Sequence, residues 1–353
     1  MINRKKLIHK NVADVLLQWF KKHKRDFPWR KNKSPYSVWI SEIMLQQTVT
    51  KTVIPFFEQW MKKYPNINKL ANATERKILT LWEGLGYYNR ARNILKSAKI
   101  IINKHNGKIP NTYHDLIQLP GVGNYTASAI LSIAYNKSYP VVDANVIKVV
   151  RRLLGWEKWK KEREKKIYEY LKEIMPSEKP GEFNEAFMEL GQLICLSQNP
   201  LCSECPIQNC CYSYKNKIQN EILEKRVTIH KQKKTTILLL LYNNTIFITK
   251  KEKGILKGLW TVPSINRNTK SAINKFIKKN ISSQFLYLGK LPSKMHHYTK
   301  FMDTLQPLIF SVKTPYKETN KSGKWIRLNK LSLYPFPSIY RKILDELKQN
   351  MNP

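Results

Sequence analysis

All five cysteines of this 353-residue chain fall within one stretch, ICLSQNPLCSECPIQNCC. Four of them, Cys195, Cys202, Cys205 and Cys211, follow the spacing C-x6-C-x2-C-x5-C, and Cys210 stands beside the last. Four thiolates brought together hold a metal, either zinc or an iron–sulfur cluster. Zinc sites more often use two short cysteine pairs far apart in the chain. One contiguous run with a wide first gap suits a compact loop wrapped around a cubane. The spacing therefore favours a [4Fe-4S] cluster over zinc. Disulfides fit poorly, because two residues separate Cys202 from Cys205 and an odd number of cysteines leaves one unpaired.

The length suggests about two domains. Hydrophobic residues make up 42% of the chain, enough for sizeable cores. No apolar run approaches the ~20 residues of a membrane span. The basic N-terminus MINRKKLIHK has no apolar signal region behind it. With the cysteine usage, this points to a cytoplasmic, reducing compartment. Net charge is +38, from 63 Lys and Arg against 25 Asp and Glu. Such an excess attracts polyanions, nucleic acid first among them. Heavy use of Lys, Asn and Ile, as AT-rich coding produces, offers a blander source for the same charge.

Residues 1–211 read as a helical domain. Leu7, Val12, Val15, Leu16, Trp19 and Phe20 recur at helical spacing, and the pattern stops near Pro28. Similar patterns cover about 36–47, 50–63, 74–83, 88–105, 123–135, 144–154, 163–174 and 182–195, and the cysteine loop 195–211 closes the domain. Residues 212–233 are polar and charged, as in a linker. From 234 to 345 the pattern turns to short runs rich in β-branched residues. TTILLLLY and TIFITKK flank an Asn243-Asn244 turn, GLWTVPS, SQFLYLGKL and LQPLIFSVK continue the strands, and SAINKFIKKNI and PSIYRKILDELKQ read as helices. The second domain is therefore α+β.

LPGVGNYTASAI has the form helix, tight turn, helix. Gly121 and Gly123 permit backbone that a side chain would obstruct. The turn presents amides at the start of the next helix, a site for phosphate read without regard to sequence. Asp143 precedes the helical run ANVIKVVRRLL, where it suits an N-cap and stays ionised under helix N–H groups. Glu42 stands among Trp39, Ile40, Ile43, Met44 and Leu45, and such surroundings raise a carboxyl pKa. A protonated acid and an ionised partner are what glycosidic cleavage needs. A solvent-facing Glu and a plain N-cap are the structural alternatives. The polar trio Gln46-Gln47-Thr48 could fill the space left by an extruded base. In LWEGLGYYNRARNI, Leu85 and Tyr87 on a glycine turn flanked by Arg90 and Arg92 suit insertion into a base stack, or else form a surface loop over a buried Tyr pair.

Taken in order, PWR, SEIMLQQT, GLGYYNRARN, LPGVGNYTA, VVDANV, FNEAFMELG and the cysteine loop resemble the A/G-specific adenine DNA glycosylases, the MutY family of the helix-hairpin-helix glycosylases, over almost the full length. The resemblance implies a monomer acting in the bacterial cytoplasm, at the nucleoid, on double-stranded DNA with adenine opposite 8-oxoguanine or guanine. It implies that Glu42 protonates the flipped adenine, that Asp143 stabilises the sugar cation with Asn145 ordering water, and that Tyr125 lies against the sugar. Arg25, Phe27, Trp29 and Glu185 would line the adenine pocket. Gln47 with Thr48, Leu85 and Tyr87 would engage the opposite strand. The hairpin Gly121-Val122-Gly123 would hold phosphate, and Cys195, Cys202, Cys205 and Cys211 would ligate [4Fe-4S].

The related endonuclease III-like enzymes carry a Lys nucleophile where this chain has Tyr125, and tyrosine cannot form a Schiff base. That favours a monofunctional enzyme over a lyase. A non-catalytic iron–sulfur sensor of DNA would not need Glu42 and Asp143 together. GLWTVP resembles the start of the Nudix-like domain with which the family inspects 8-oxoguanine, without a hydrolase box. Where the family commonly has Phe-Ser-His, this chain has Tyr298, Thr299 and Lys300. Tyr298 can still wedge and Thr299 can still donate, but losing the His predicts weaker discrimination of 8-oxoguanine from guanine.

Overall fold

The computed structural model describes residues 2–156, 163–222, 231–266, 269–298, 301–316 and 323–351. The chain divides into two compact units, one of residues 1–72 and 93–226, the other of 73–92 and 227–353.

The first unit is helical. It contains α1 (Ile2–His23), α2 (Pro28–Lys31), α3 (Pro35–Leu45), α4 (Thr50–Lys63) and α5 (Ile67–Ala71). After α6 (Glu75–Leu81), which belongs to the second unit, follow α7 (Asn89–His105), α8 (Tyr113–Ile117), α9 (Asn124–Ala129), α10 (Ala144–Leu154), α11 (Arg163–Ile174), α12 (Pro180–Leu193) and α13 (Tyr212–Lys215). Leu16 and Phe20 of α1, Val146 and Val150 of α10, Ile167 and Leu171 of α11, and Phe183 and Phe187 of α12 form one core, and the cysteine loop packs on its edge.

Two sequence expectations change here. The helix expected over 123–135 gives way to a π turn at Ile130–Ala134. Ser132 Oγ bonds back to Ser128 O at 2.7 Å, and α12 presses close, since a Cβ on Gly181 would stand 2.8 Å from Ile133 Cα. The expected linker at 212–233 begins as folded structure. Ser213 is fully buried and donates to Arg152 O at 2.6 Å, and buried Ile222 accepts from Arg151 Nη2. Polar composition hid these anchors, and residues 223–230 lie outside the described residues.

The second unit is built on an eight-stranded mixed sheet of β1 (Lys231–Tyr242), β2 (Thr245–Lys250), β3 (Trp260–Thr261), β4 (Ser264–Ile265), β5 (Phe285–Lys290), β6 (Lys294–Tyr298), β7 (Phe301–Val312) and β8 (Gly323–Arg327). The main path runs β3-β2-β1-β7-β5, with β1 and β7 parallel. The apolar run in β1 has partners on both faces. Ile237, Leu239 and Leu241 pack under α15 (Ser338–Met351), and Leu238 and Leu240 pack under α14 (Lys270–Asn280). Asn243 and Asn244 both take positive φ, at 42° and 59°, as a tight hairpin turn requires. Segment 73–92, read from sequence as part of the helical domain, clusters with this sheet. Among the described residues no helix is long and apolar enough to cross a membrane.

Candidate active site

Glu42 sits on α3, which starts cleanly because Ser34 caps it and Pro35 occupies its first turn. Every residue from 37 to 44 is buried, so Glu42 is carried into the interior and is 5% exposed. Tyr125, from the first turn of α9, donates to Glu42 Oε2 at 2.6 Å. Burial drives the Glu42 carboxyl up to about 7. Nearby Glu185 and Asp143 add to this, while the Tyr125 hydrogen bond and Arg30 hold it back. Burial, with Glu42 and Asp143 near, pushes Tyr125 well above the usual tyrosine value, so its hydroxyl remains a neutral donor.

Asp143 caps α10, accepting from Val146 N at 2.7 Å and from Asn145 Nδ2 at 3.0 Å. Burial raises its pKa above the ordinary aspartate value, against the opposing Val146 and Asn145 bonds and the Lys148 charge. Desolvation is the largest single influence on this carboxyl, with the cap bonds opposing it. The segment leading to Asp143 is fixed by Asn184 of α12. Its Oδ1 accepts from Val141 N at 3.0 Å and its Nδ2 donates to Tyr139 O at 2.9 Å. A Cβ on Gly191 would meet Asn145 Cβ at 2.7 Å, so a glycine is needed where α12 passes the site.

Glu42, Tyr125, Asp143, Asn145, Arg25, Phe27, Trp29, Gln47, Thr48 and Glu185 all line one open pocket of about 710 Å³. Phe27 and Trp29 stack at 5.0 Å between centroids and form its apolar wall. Beside Phe27, with Arg25 and Arg30 over its ring at 5.0 and 4.8 Å, lies a charged cluster of which sequence reasoning named Arg25 and Glu185 but missed Arg30, Lys33 and Glu189. Glu185 and Glu189 lie one turn apart on α12. Arg30 Nε and Lys33 Nζ donate to Glu185, at 3.0 and 2.6 Å. Arg25 Nε and Arg30 Nη2 donate to Glu189, at 2.8 and 3.1 Å. Burial would lift the Glu189 carboxyl, but the two arginines outweigh it and hold it below the usual value. The i, i+4 spacing in NEAFMEL was the available signal.

The hairpin joins α8 to α9. Gly121 has φ +82°, and a Cβ there would stand 2.9 Å from Asn93 Cβ. Gly123 has ordinary extended backbone and open space within 4 Å of its Cβ position, so the expected strain at both glycines holds only for Gly121. Val122 is buried and its N–H already donates to Leu119 O at 3.0 Å. The amides free for an anion are therefore those at the start of α9.

Cys195, Cys202, Cys205 and Cys211 line one small, almost wholly apolar cavity of about 30 Å³, and Cys210 is not among its walls. No three His, Cys, Asp or Glu groups among the described residues converge as for a single metal ion. The four thiols line the same cavity, and four cysteine thiolates are the donor set of an iron–sulfur cluster or of zinc. Arg152, fully buried, donates to Cys195 Sγ at 3.3 Å and to Ser197 O at 3.1 Å, tying the loop to α10 and supplying charge for thiolates. Burial and the neighbouring sulfurs push the Cys205 thiol up to about 12, so a bound cation is what would make this set anionic.

The remaining predicted residues lie in the second unit. Leu85 is buried, whereas Tyr87 is 51% exposed with φ +46°. Tyr298 ends β6, paired with Phe301, while Thr299 and Lys300 lie outside the described residues.

A helix-hairpin-helix unit with a buried acid and a capped carboxylate in one pocket defines the helix-hairpin-helix glycosylase class. The profile described as "HhH-GPD superfamily base excision DNA repair protein" matches residues 40–177, and a NUDIX domain profile matches 236–346. The chain is 37% identical over 341 residues to the adenine DNA glycosylase of Buchnera aphidicola subsp. Baizongia pistaciae (strain Bp), covering 95% of this chain and 96% of that one. To the adenine DNA glycosylase of Homo sapiens it is 38% identical over 233 residues, 61% of this chain and 43% of that one. A solved thermostable thymine-DNA glycosylase superposes with a TM-score of 0.57 at 28% identity, covering 61% of this chain and all of that one. The chain belongs to the adenine DNA glycosylase family, the MutY branch of the class.

Proposed function

We propose that the chain is a monofunctional glycosylase that removes adenine standing opposite 8-oxoguanine or guanine in double-stranded DNA, leaving an abasic site and so preventing G·C to T·A transversions. The observation that carries this reading is the Glu42 carboxyl, held near pKa 7 in the same pocket as the capped Asp143. The names of the relatives supply the base.

Adenine is extruded from the stack into the pocket, against Phe27 and Trp29. Glu42, protonated, gives its proton to a ring nitrogen of the base. The C1′–N9 bond then breaks and its electron pair leaves with adenine. Asp143, as carboxylate, stabilises the sugar cation. A water held by Asn145 adds to C1′, and its proton passes to a carboxylate of the site. Tyr125 donates to Glu42 and orients it. Tyr125 stands where the related lyases carry their Lys nucleophile, which supports hydrolysis without a Schiff base. Cys195, Cys202, Cys205 and Cys211 would hold a [4Fe-4S] cluster that stiffens the loop and helps seat DNA. The hairpin Gly121-Val122-Gly123 directs the amides at the start of α9 to a backbone phosphate, Gln47, Thr48 and Tyr87 engage the opposite strand, and Tyr298 and Thr299 meet the 8-oxoguanine. The protein acts as a monomer in the cytoplasm.

Single-turnover cleavage of labelled A:8-oxoG, A:G and A:T duplexes, followed by alkali, tests the reading. Strand breaks at adenine only after alkali, and only in the mispairs, are expected. Breaks without alkali would mean lyase chemistry, and no product from cluster-loaded protein would mean a binding protein.

A further inference from the structure

The loop that presents Tyr87 holds that one residue in a backbone conformation a tyrosine does not favour. Gly84, Gly86 and Tyr87 all have positive φ, at 106°, 72° and 46°, and a left-handed tyrosine is disfavoured on its own. Within the loop, Trp82 Nε1 donates to Gly86 O at 3.0 Å, and Arg90 Nη2 donates to Leu85 O at 3.0 Å. Arg90 also lies over the Tyr87 ring at 5.5 Å. The remaining constraints come from the sheet domain. Glu83 accepts from Phe336 N at 3.0 Å and from Arg341 Nη2 at 3.0 Å, with Arg341 Nε on its other oxygen. On the far side of the loop, the Tyr88 hydroxyl donates to Phe336 O at 3.2 Å. One residue of the sheet domain thus grips both ends of the turn. Phe336 is fully buried in the core formed by β1, β2 and α15, and Arg341 is itself braced by donating to Tyr334 O at 2.8 Å. A second close approach occurs at Gly258, where a Cβ would come within 2.9 Å of both Arg92 and Glu75.

We infer that Arg341 is a positioning residue for mispair recognition: with the Phe336 amide it clamps Glu83, so that the C-terminal domain sets the pose of Tyr87. The inference rests on the adenine-mispair reading above. Arg341 touches neither the base nor the reacting atoms in this reading. Its guanidinium meets a carboxylate through two N–H groups, a geometry that fixes orientation as well as distance. Loosening the clamp releases the strained turn, and an exposed tyrosine on a relaxed turn no longer enters the stack in one pose. Domain and loop then act as one unit in sensing the opposite base.

The test uses the full-length protein in the forms Arg341→Met, Glu83→Gln, the double variant and Arg341→Lys. Affinity is measured on A:8-oxoG and A:T duplexes, with 2-aminopurine beside the 8-oxoguanine reporting entry of Tyr87 into the stack. Each single loss is expected to weaken A:8-oxoG binding about tenfold and to reduce the fluorescence change, and the double variant is expected to be no worse than either. Arg341→Lys, which keeps charge and bulk and so keeps a folded variant in hand, should fall in between. Variants that melt earlier but bind and report as wild type, or losses that multiply in the double variant, overturn the clamp. Wild-type protein that leaves adenine in A:8-oxoG overturns the functional reading instead.

Discussion

At the scale of single residues, the proposed chemistry turns on how far the protein moves one carboxyl. Glu42 goes from the ordinary 4.5 to about 7, chiefly because α3 carries it out of water. Activity should therefore be full where Glu42 holds its proton and fall as pH rises through about 7. Glu42→Gln should lower single-turnover cleavage by about 10²–10⁴-fold while leaving mispair binding intact. The same variant reads out stability. Between pH 4.5 and 7 the native chain holds a proton at Glu42 that the unfolded chain has lost, so the wild type loses stability as pH rises across that window. The shift corresponds to about 3 kcal/mol. Denaturant melts should show Glu42→Gln gaining on the wild type by up to that amount between pH 5 and pH 8, and parallel curves would place Glu42 in water. Tyr125→Phe removes a hydrogen bond that holds the Glu42 pKa down. Its pH–rate profile should keep its shape and move its alkaline limb to higher pH.

At the scale of elements, the two hairpin glycines separate conformation from contact. Gly121→Ala must place a side chain in left-handed backbone against Asn93, and should cost about 1–2 kcal/mol in a thermal or denaturant melt. Gly123→Ala has ordinary backbone and empty space around it, so its stability should stay within about 0.5 kcal/mol of wild type. If phosphate approaches there, Gly123→Ala should still weaken binding to matched and mispaired duplexes alike, and unchanged affinity would move the phosphate site elsewhere. Much of this level was legible in the sequence. Helical spacing gave α1, α3, α4, α7, α10, α11 and α12, and the β-branched runs gave β1, β2 and β7. Glu42 and Asp143 could be singled out because each stands in an apolar run ahead of or within a helix. What escaped were long-range partners. Asn184 reaches back 43 residues to Val141, and Glu189 reaches 164 residues to Arg25. The i, i+4 spacing marks Glu189 as a partner of Glu185 but not of Arg25, and nothing local marks Asn184, since such roles depend on which segment lies opposite. The anchoring of segment 73–92 on the sheet domain was hidden for the same reason, because Glu83 and Arg341 are 258 residues apart. Leu85 looked like a wedge because it is apolar and follows glycine, yet those properties equally suit the buried side of a turn.

At the scale of the whole molecule, the question is whether a net charge of +38 acts on DNA or only reflects lysine-rich coding. The two cases differ in how affinity depends on salt. Each phosphate neutralised releases condensed counterions, so a chain that uses its lysines on the duplex loses affinity steeply as salt is added. For six to ten phosphate contacts the loss between 50 and 200 mM is about 10³–10⁵-fold. On the proposed reading, in which the pocket and Tyr87 meet bases rather than phosphates, the ratio of A:8-oxoG to A:T affinity should therefore stay nearly constant across the same range. Binding titrations of both duplexes over a salt series measure the slope and the ratio together. A steep common slope with a constant ratio assigns the excess charge to sequence-independent capture and the specificity to the pocket and its loop. A slope equivalent to one or two contacts would mean that most of the lysines face away from the DNA, and a ratio that collapses with salt would mean that discrimination is itself electrostatic.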